Sequence, residues 1–244
     1  MSVTFLGTTS GGGPTDTRNC SSLVVDATGR GASWSEHRFF LVNEFMSRTL
    51  FIVFDCAEGT VRQYALQPYH DARRVKINDL NKIFITHMHG KLAFAVGKFP
   101  ALLTDFGVAD HTMGIITILR NALGIFKGDP HTPPVTPRPV RQPKVQIYGP
   151  AGIRQLIRTA FHLTHTRSAD QYCVHELLFP GEAASAPADA VECLHPNEEA
   201  GTDIRCDEDG FWRKITFQGI NSGRCEVIVD AGPIVHRGDE HVLP

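Results

Sequence analysis

The short apolar run at residues 82–86 stops abruptly at His87-Met88-His89-Gly90. Apolar runs this short, closed by turn-forming residues, read as buried strands, so both histidines fall on the loop where a strand ends. Residues 50–54 repeat the arrangement, running apolar without a break until Asp55-Cys56-Ala57-Glu58-Gly59. Such a chain is constrained to a sheet whose polar chemistry collects at the carboxyl edge of its strands, where open sheets place their sites. Alternate residues of an extended backbone share a face, so His87 and His89 can turn toward one cation. The H-x-H spacing alone is weak, because surface loops show it too.

The remaining pattern alternates strand and helix. Residues 3–7 predict a strand ended by Gly7, residues 8–19 a Gly/Thr/Ser/Pro loop, and residues 22–26 the next strand. A helix follows from Thr60. From His111, apolar side chains at Met113, Ile116, Ile118, Leu119, Leu123 and Phe126 recur at helical spacing, with Asp110 placed to cap the helix. The six prolines at 130–144 exclude helix and central strand, so that stretch is an extended loop. Residues 145–148 predict a strand, Gly149-Pro150 a break, and 151–163 an amphipathic helix. Strands follow at 174–179, 212–217 and 226–229. The order predicts a mixed α/β (α+β) protein, sheets covered by helices, in a single domain over 1–244.

A chain of 244 residues with 42% hydrophobic side chains can bury a substantial core. It carries no signal-peptide pattern and no apolar run long enough to span a bilayer, so an intracellular protein is expected, with no membrane partner. The net charge of −2 gives no overall attraction for nucleic acid, and RNA contact would need a local patch. Six cysteines without C-x-x-C spacing read as reduced thiols.

Several motifs in order change the weight of the histidine pair. They are Phe5-Leu6-Gly7-Thr8-Thr9-Ser10-Gly11-Gly12-Gly13-Pro14, then Arg18-Asn19-Cys20-Ser21-Ser22, then Phe54-Asp55-Cys56-Ala57-Glu58-Gly59-Thr60. Ile85-Thr86-His87-Met88-His89, Ile147-Tyr148-Gly149-Pro150-Ala151-Gly152 and Ala231-Gly232-Pro233-Ile234-Val235-His236 follow. Together they resemble the short-form tRNase Z family over nearly the whole chain. The resemblance implies the metallo-β-lactamase fold, an αββα sandwich whose H-x-H-x-D-H motif ligates two zinc ions. It implies His87, His89 and His236 on the first zinc, and Asp110 and His111 on the second, with Asp110 the catalytic residue of the set. Asp55 matches the buried carboxylate that orients the ligands.

The chain departs from that pattern in three places. Twenty residues, 90–109, separate His89 from Asp110-His111 where the motif needs one, so nineteen are surplus and the segment reads as an insertion that displaces Asp110 and His111. Gly90-Lys91 can be encoded GGT-AAG, a splice-donor-like sequence, which suggests an intron retained in frame. A second excursion at 35–52 parts Trp34 from Phe54-Asp55. The ending after His236 lacks counterparts of the family's tRNA-gripping arm, bridging aspartate and last histidine, so the sandwich is expected to be incomplete at the C-terminus.

The function implied is removal of the 3′ trailer from precursor tRNA by metal-hydroxide attack on a phosphodiester, in the nucleus or cytosol, with a homodimer as a further expected state. The broken motif points to an impaired chain holding one zinc or none. Two other readings stand beside it: a non-catalytic partner protein of the same fold, and a different hydrolase of this fold, since fold alone fixes no substrate. Elsewhere bland readings are preferred. His162 and His165 could pair on one helix face, His195 is ambiguous, and Glu58 would cap the helix that follows it.

Overall fold

Strand alternation splits the apolar residues between two faces of one sheet. The computed structural model describes residues 2–9, 15–27, 50–67, 74–88, 111–128, 142–218 and 226–233. Strands β1 (Ser2–Gly7), β2 (Ser22–Asp26) and β3 (Phe51–Phe54) pair antiparallel in that order. Then β4 (Leu80–Phe84), β5 (Val145–Pro150), β6 (Tyr172–Leu178) and β7 (Glu198–Glu199) join in parallel, and β8 (Asp203–Arg205) also pairs with β6. Parallel neighbours need crossovers, and α1 (Thr60–Leu66), α2 (Ile115–Leu123) and α3 (Ile153–Leu163) supply them.

On one face Val53, Ile83, Val145, Ile147 and Val174 pack with Tyr64, Ile118, Leu119, Ile157 and Phe161 of the helices. On the other, Ile52, Phe84, Tyr148 and Leu177 meet Trp212 and Ile215 of a second sheet, β9 (Trp212–Gln218) paired antiparallel with β10 (Glu226–Ala231). Trp212 is buried and donates its indole N–H to the Ile204 carbonyl at 3.0 Å, tying the small sheet to β8. The described layers are thus helices, large sheet and small sheet. Among the described residues, no helix is long and apolar enough to cross a membrane. The five described cysteines are free thiols, and Cys225 lies outside the described residues.

Local readings shift in instructive ways. Helix α2 starts at Ile115 rather than His111, because residues 111–114 form a turn, and its cap is Gly114. Glu58 is exposed and caps nothing, since Gly59 in the left-handed region holds that position for α1. Pro150 ends β5 instead of breaking before it. His162 packs against His195, with ring centroids 5.0 Å apart, rather than pairing with His165. His195 itself is buried and accepts the Asn197 N–H on Nδ1 at 3.2 Å, a structural role.

On the face toward the small sheet, Phe54, Phe84, Tyr148 and His175 stand in register across β3–β6 and stack, with centroids 5.4, 4.8 and 4.5 Å apart. His175 is held by Thr202 Oγ1 at 2.6 Å and Cys173 Sγ at 3.2 Å. Burial, with the positive charges of Lys82 and Arg154 nearby, lowers its pKa to about 4. The unfolded chain therefore binds a proton at higher pH than the folded one. Below the ordinary histidine range near 6.5, and down to about 4, acidification should destabilise the fold through this group. Thermal melts between those limits should show a slope that His175→Gln flattens, and an unchanged slope would rule the explanation out.

Candidate metal centre

The expected site begins with Asp55, at the end of β3 with φ of 59°. That left-handed conformation is one that aspartate tolerates better than most residues. It is pinned on both sides: Asp55 N–H donates to Phe84 O at 2.8 Å, and Ser22 Oγ donates to Asp55 O at 3.0 Å. Asp55 is buried, and its carboxylate, with the side chain 9% exposed, faces the end of β4. Its Oδ1 accepts from Thr86 N and Thr86 Oγ1, each at 2.9 Å, and its Oδ2 lies 2.7 Å from His111 Nδ1.

His111 arrives from far along the chain, yet its main chain is clamped to the same loop. Cys56 N–H donates to His111 O and Gly114 N–H to Cys56 O, each at 2.7 Å. Only glycine fits that approach, since a Cβ on residue 114 would stand 2.1 Å from Ala57 O. The displacement of His111 expected from the insertion is therefore corrected: its ring lies against His87, centroids 4.0 Å apart. The reason is physical. Position here is fixed by the Asp55–Ala57 loop, to which residues 111–114 bond directly, and not by the length of chain before them.

The proton positions follow from donor counting. Thr86 has one hydroxyl hydrogen, and it goes to the Asp55 carboxylate. Thr86 Oγ1 must then accept from His87 Nδ1, 3.0 Å away. His111 Nδ1 donates to Asp55 directly. One buried carboxylate thus sets the tautomer of both rings, in one case through a threonine, and leaves Nε2 of each as the nitrogen able to ligate a metal. Imidazoles backed by a carboxylate in this way are common zinc ligands, so the residues present fit that ion. Burial and the neighbouring Asp55 charge push the Cys56 thiol far up, which makes it a packing residue rather than a thiolate ligand.

His89, Asp110 and His236 lie outside the described residues, as do residues 90–109. Among the described residues, no three His, Cys, Asp or Glu side chains converge as a metal-binding group. Thr86, Ser22 and Gly114 escape a reading based on ligand types. Their signal is positional: a hydroxyl directly before the first histidine, a serine opening β2, and a glycine beside the loop after β3.

No protein-family model matches the chain. It is 28% identical over 251 aligned positions to ribonuclease Z of Acaryochloris marina (strain MBIC 11017), covering 100% of this chain and 59% of that protein. It is 29% identical over 217 positions to zinc phosphodiesterase ELAC protein 1 of Homo sapiens, covering 86% of this chain and 44% of that one. The crystal structure of human tRNase Z, short form (ELAC1), superposes with a TM-score of 0.54 at 24% identity, over 99% of this chain and 61% of that chain. The chain thus has the metallo-β-lactamase fold, with helices backing a large sheet that packs on a second one. Within that fold, its sequence similarity is to short-form tRNase Z proteins, and it spans about half the length of the curated relatives it matches.

Proposed function

We propose that this chain is a zinc-dependent endoribonuclease that removes the 3′ trailer from precursor tRNA. The observation that carries the reading is the pair of adjacent imidazoles, His87 and His111, whose tautomers one buried Asp55 fixes. The names of the relatives, ribonuclease Z and zinc phosphodiesterase, supply the reaction class. His87 and His111 would hold zinc through Nε2; His89 and His236 would complete the set around His87, and Asp110 the set around His111. Bound zinc supplies Lewis-acid chemistry, lowering the pKa of water and offsetting charge on a phosphoryl oxygen. Asp55 and Thr86 keep both rings in the ligating tautomer.

In this reading residues 90–109 are an insertion within one domain over 1–244. The protein works in the nucleus or cytosol on precursor tRNA, alone or as a homodimer. The test is incubation of the purified chain with a 3′-extended precursor tRNA and zinc, with the product ends mapped and bound metal counted by mass spectrometry. Release of an intact trailer at the mature 3′ end, abolished by chelation and restored by zinc, is the expected result. Zinc binding without cleavage would transfer the case to the non-catalytic reading.

A further inference from the structure

The chain leaving α2 is bonded to the chain leaving α3. Ile125 bridges Ser168 antiparallel, Ala169 N–H donates to Gly124 O at 3.2 Å, and Asp170 N–H donates to Leu123 O at 3.0 Å. Thr166 N–H closes back on Phe161 O at 3.0 Å, which keeps Leu163, the last residue of α3, at the same end of the helical layer. Two large aliphatic side chains are left in water there, Ile125 at 82% exposed and Leu163 at 77%. Among the described residues no other large hydrophobic side chain is as exposed as either. One exposed aliphatic is ordinary, but the two most exposed standing on bonded segments call for something that covers them.

The surround is basic. Segments 120–128 and 162–170 carry Arg120, Lys127 and Arg167 against one carboxylate, Asp170, which Lys144 already holds at 2.8 Å. Arg120 sits in the last turn of α2, where a cation offsets the helix dipole. Lys127 and Arg167 lie beyond the helix ends, so the dipole does not account for them. A chain of net charge −2 thus turns one positive, partly aliphatic end to solvent. Phe126, the aromatic residue of the patch, already has the Arg167 guanidinium over its ring, 5.8 Å from the centroid. What is offered to a ligand is therefore aliphatic anchors rimmed by cations rather than a stacking platform, a poor match to nucleic-acid bases.

We propose that this end of α2 and α3 docks an acidic amphipathic helix of a partner protein, with leucine-type side chains on Ile125 and Leu163 and carboxylates on Arg120, Lys127 and Arg167. The chemistry is that of a helix read through apolar anchors at i, i+3 and i+4, with charge complementarity setting its orientation and on-rate. The surface stands apart from the candidate metal centre. Helix α2 begins beside Cys56 and ends here after 9 residues, a length of roughly 13 Å. Docking is therefore independent of whether the chain cleaves RNA.

The probe is a fluorescein-labelled, glutamate-rich peptide with leucines at i, i+3, i+4 and i+7, titrated with the full chain and followed by anisotropy at several salt concentrations. Two control peptides keep its length, one with the same leucines scattered and one with lysine in place of glutamate. Binding of the first peptide alone is expected. Leu163→Ser should weaken it about tenfold, and Lys127→Glu several-fold with a shallower salt dependence. Lys214→Gln, on the second sheet, should change neither. Both test residues are exposed, so circular dichroism should report an unaltered fold. Absence of binding, equal binding of all three peptides, or test variants that bind like the wild type overturns the proposal. So does capture of phosphatidylserine vesicles or of single-stranded RNA that both variants abolish while the acidic peptide stays unbound, which would assign the surface to that ligand instead. A sedimentation profile that Leu163→Ser shifts to a smaller species would assign it to a second copy of the chain and overturn the proposal as well.

Discussion

Asp55→Asn is expected to lower zinc affinity and precursor cleavage by about 10- to 100-fold, the range found when the group behind a ligating histidine is lost. Asparagine is nearly isosteric and tolerates the φ of 59° at this position, so the backbone has no reason to move. What changes is the donor pattern. Thr86 N–H and Oγ1–H both need an acceptor where Oδ1 stands, which fixes the amide oxygen there and points the NH₂ toward His111 Nδ1. Two donors then face each other. His111 relieves the conflict by moving its proton to Nε2, the nitrogen that would otherwise ligate, or by turning its ring away. His87, oriented through Thr86, keeps its partner, so the loss should fall on the His111 side. The readout is zinc affinity by chelator competition, with bound metal per chain, beside cleavage rate. His111→Ala should go further and remove cleavage altogether. If Asp55→Asn holds zinc as tightly as the wild type, the carboxylate does not set the tautomer and the account of the site fails.

This pair of variants also marks where sequence reasoning reached its limit. The carboxyl edge of β3 and β4 is legible because apolar runs stop at Asp55 and His87, and burial forces that alternation on the chain. The layers are legible for the same reason, from Val53 and Ile83 on one face to Ile52 and Phe84 on the other. The place of His111 is not. Counting residues between motif positions assumes that the chain itself sets the spacing, whereas hydrogen bonds from Cys56 and Gly114 hold residues 111–114 against a loop more than fifty positions earlier. The boundaries of α2 failed for a related reason, since the apolar periodicity from Met113 continues through a turn that those bonds impose. Thr86 was invisible because a hydroxyl has no ligand signature; its role appears only when the single hydrogen is counted.

The largest effect on stability should come from Arg154→Met, at about 3–5 kcal/mol. Arg154 lies in the first turn of α3 and is fully buried, as is its partner Glu176 on β6. Glu176 Oε1 accepts the N–H groups of Gly152 and Arg154 at 2.9 and 3.1 Å, and its Oε2 accepts Ser185 N–H at 2.8 Å, so it closes the N-terminus of α3 from another strand. Arg154 in turn donates to the carbonyls of Ala186, Val174 and Thr202, and to Asp203 at 2.7 Å. Methionine fills much of the volume but leaves a buried carboxylate without its cation and several carbonyls without donors. For a chain of this size, a loss of that order corresponds to a melting point lower by roughly 10 °C. Charge, rather than shape, is the cause proposed, and a second substitution separates them. Adding Glu176→Gln removes the orphaned charge while its amide oxygen still accepts the N–H groups of residues 152 and 154; it loses only the acceptor for Ser185 N–H, so the double variant should be more stable than Arg154→Met alone. The consequence reaches the site through Gly152, the α3 cap, where an added Cβ would meet the side chain of Met88, the residue after His87, at 3.6 Å. Zinc affinity in Arg154→Met should therefore fall as the melting point falls. A single variant that melts within about 1 °C of the wild type would show that α3 is held by its apolar face, Ile153, Ile157 and Phe161, and that the ion network is dispensable.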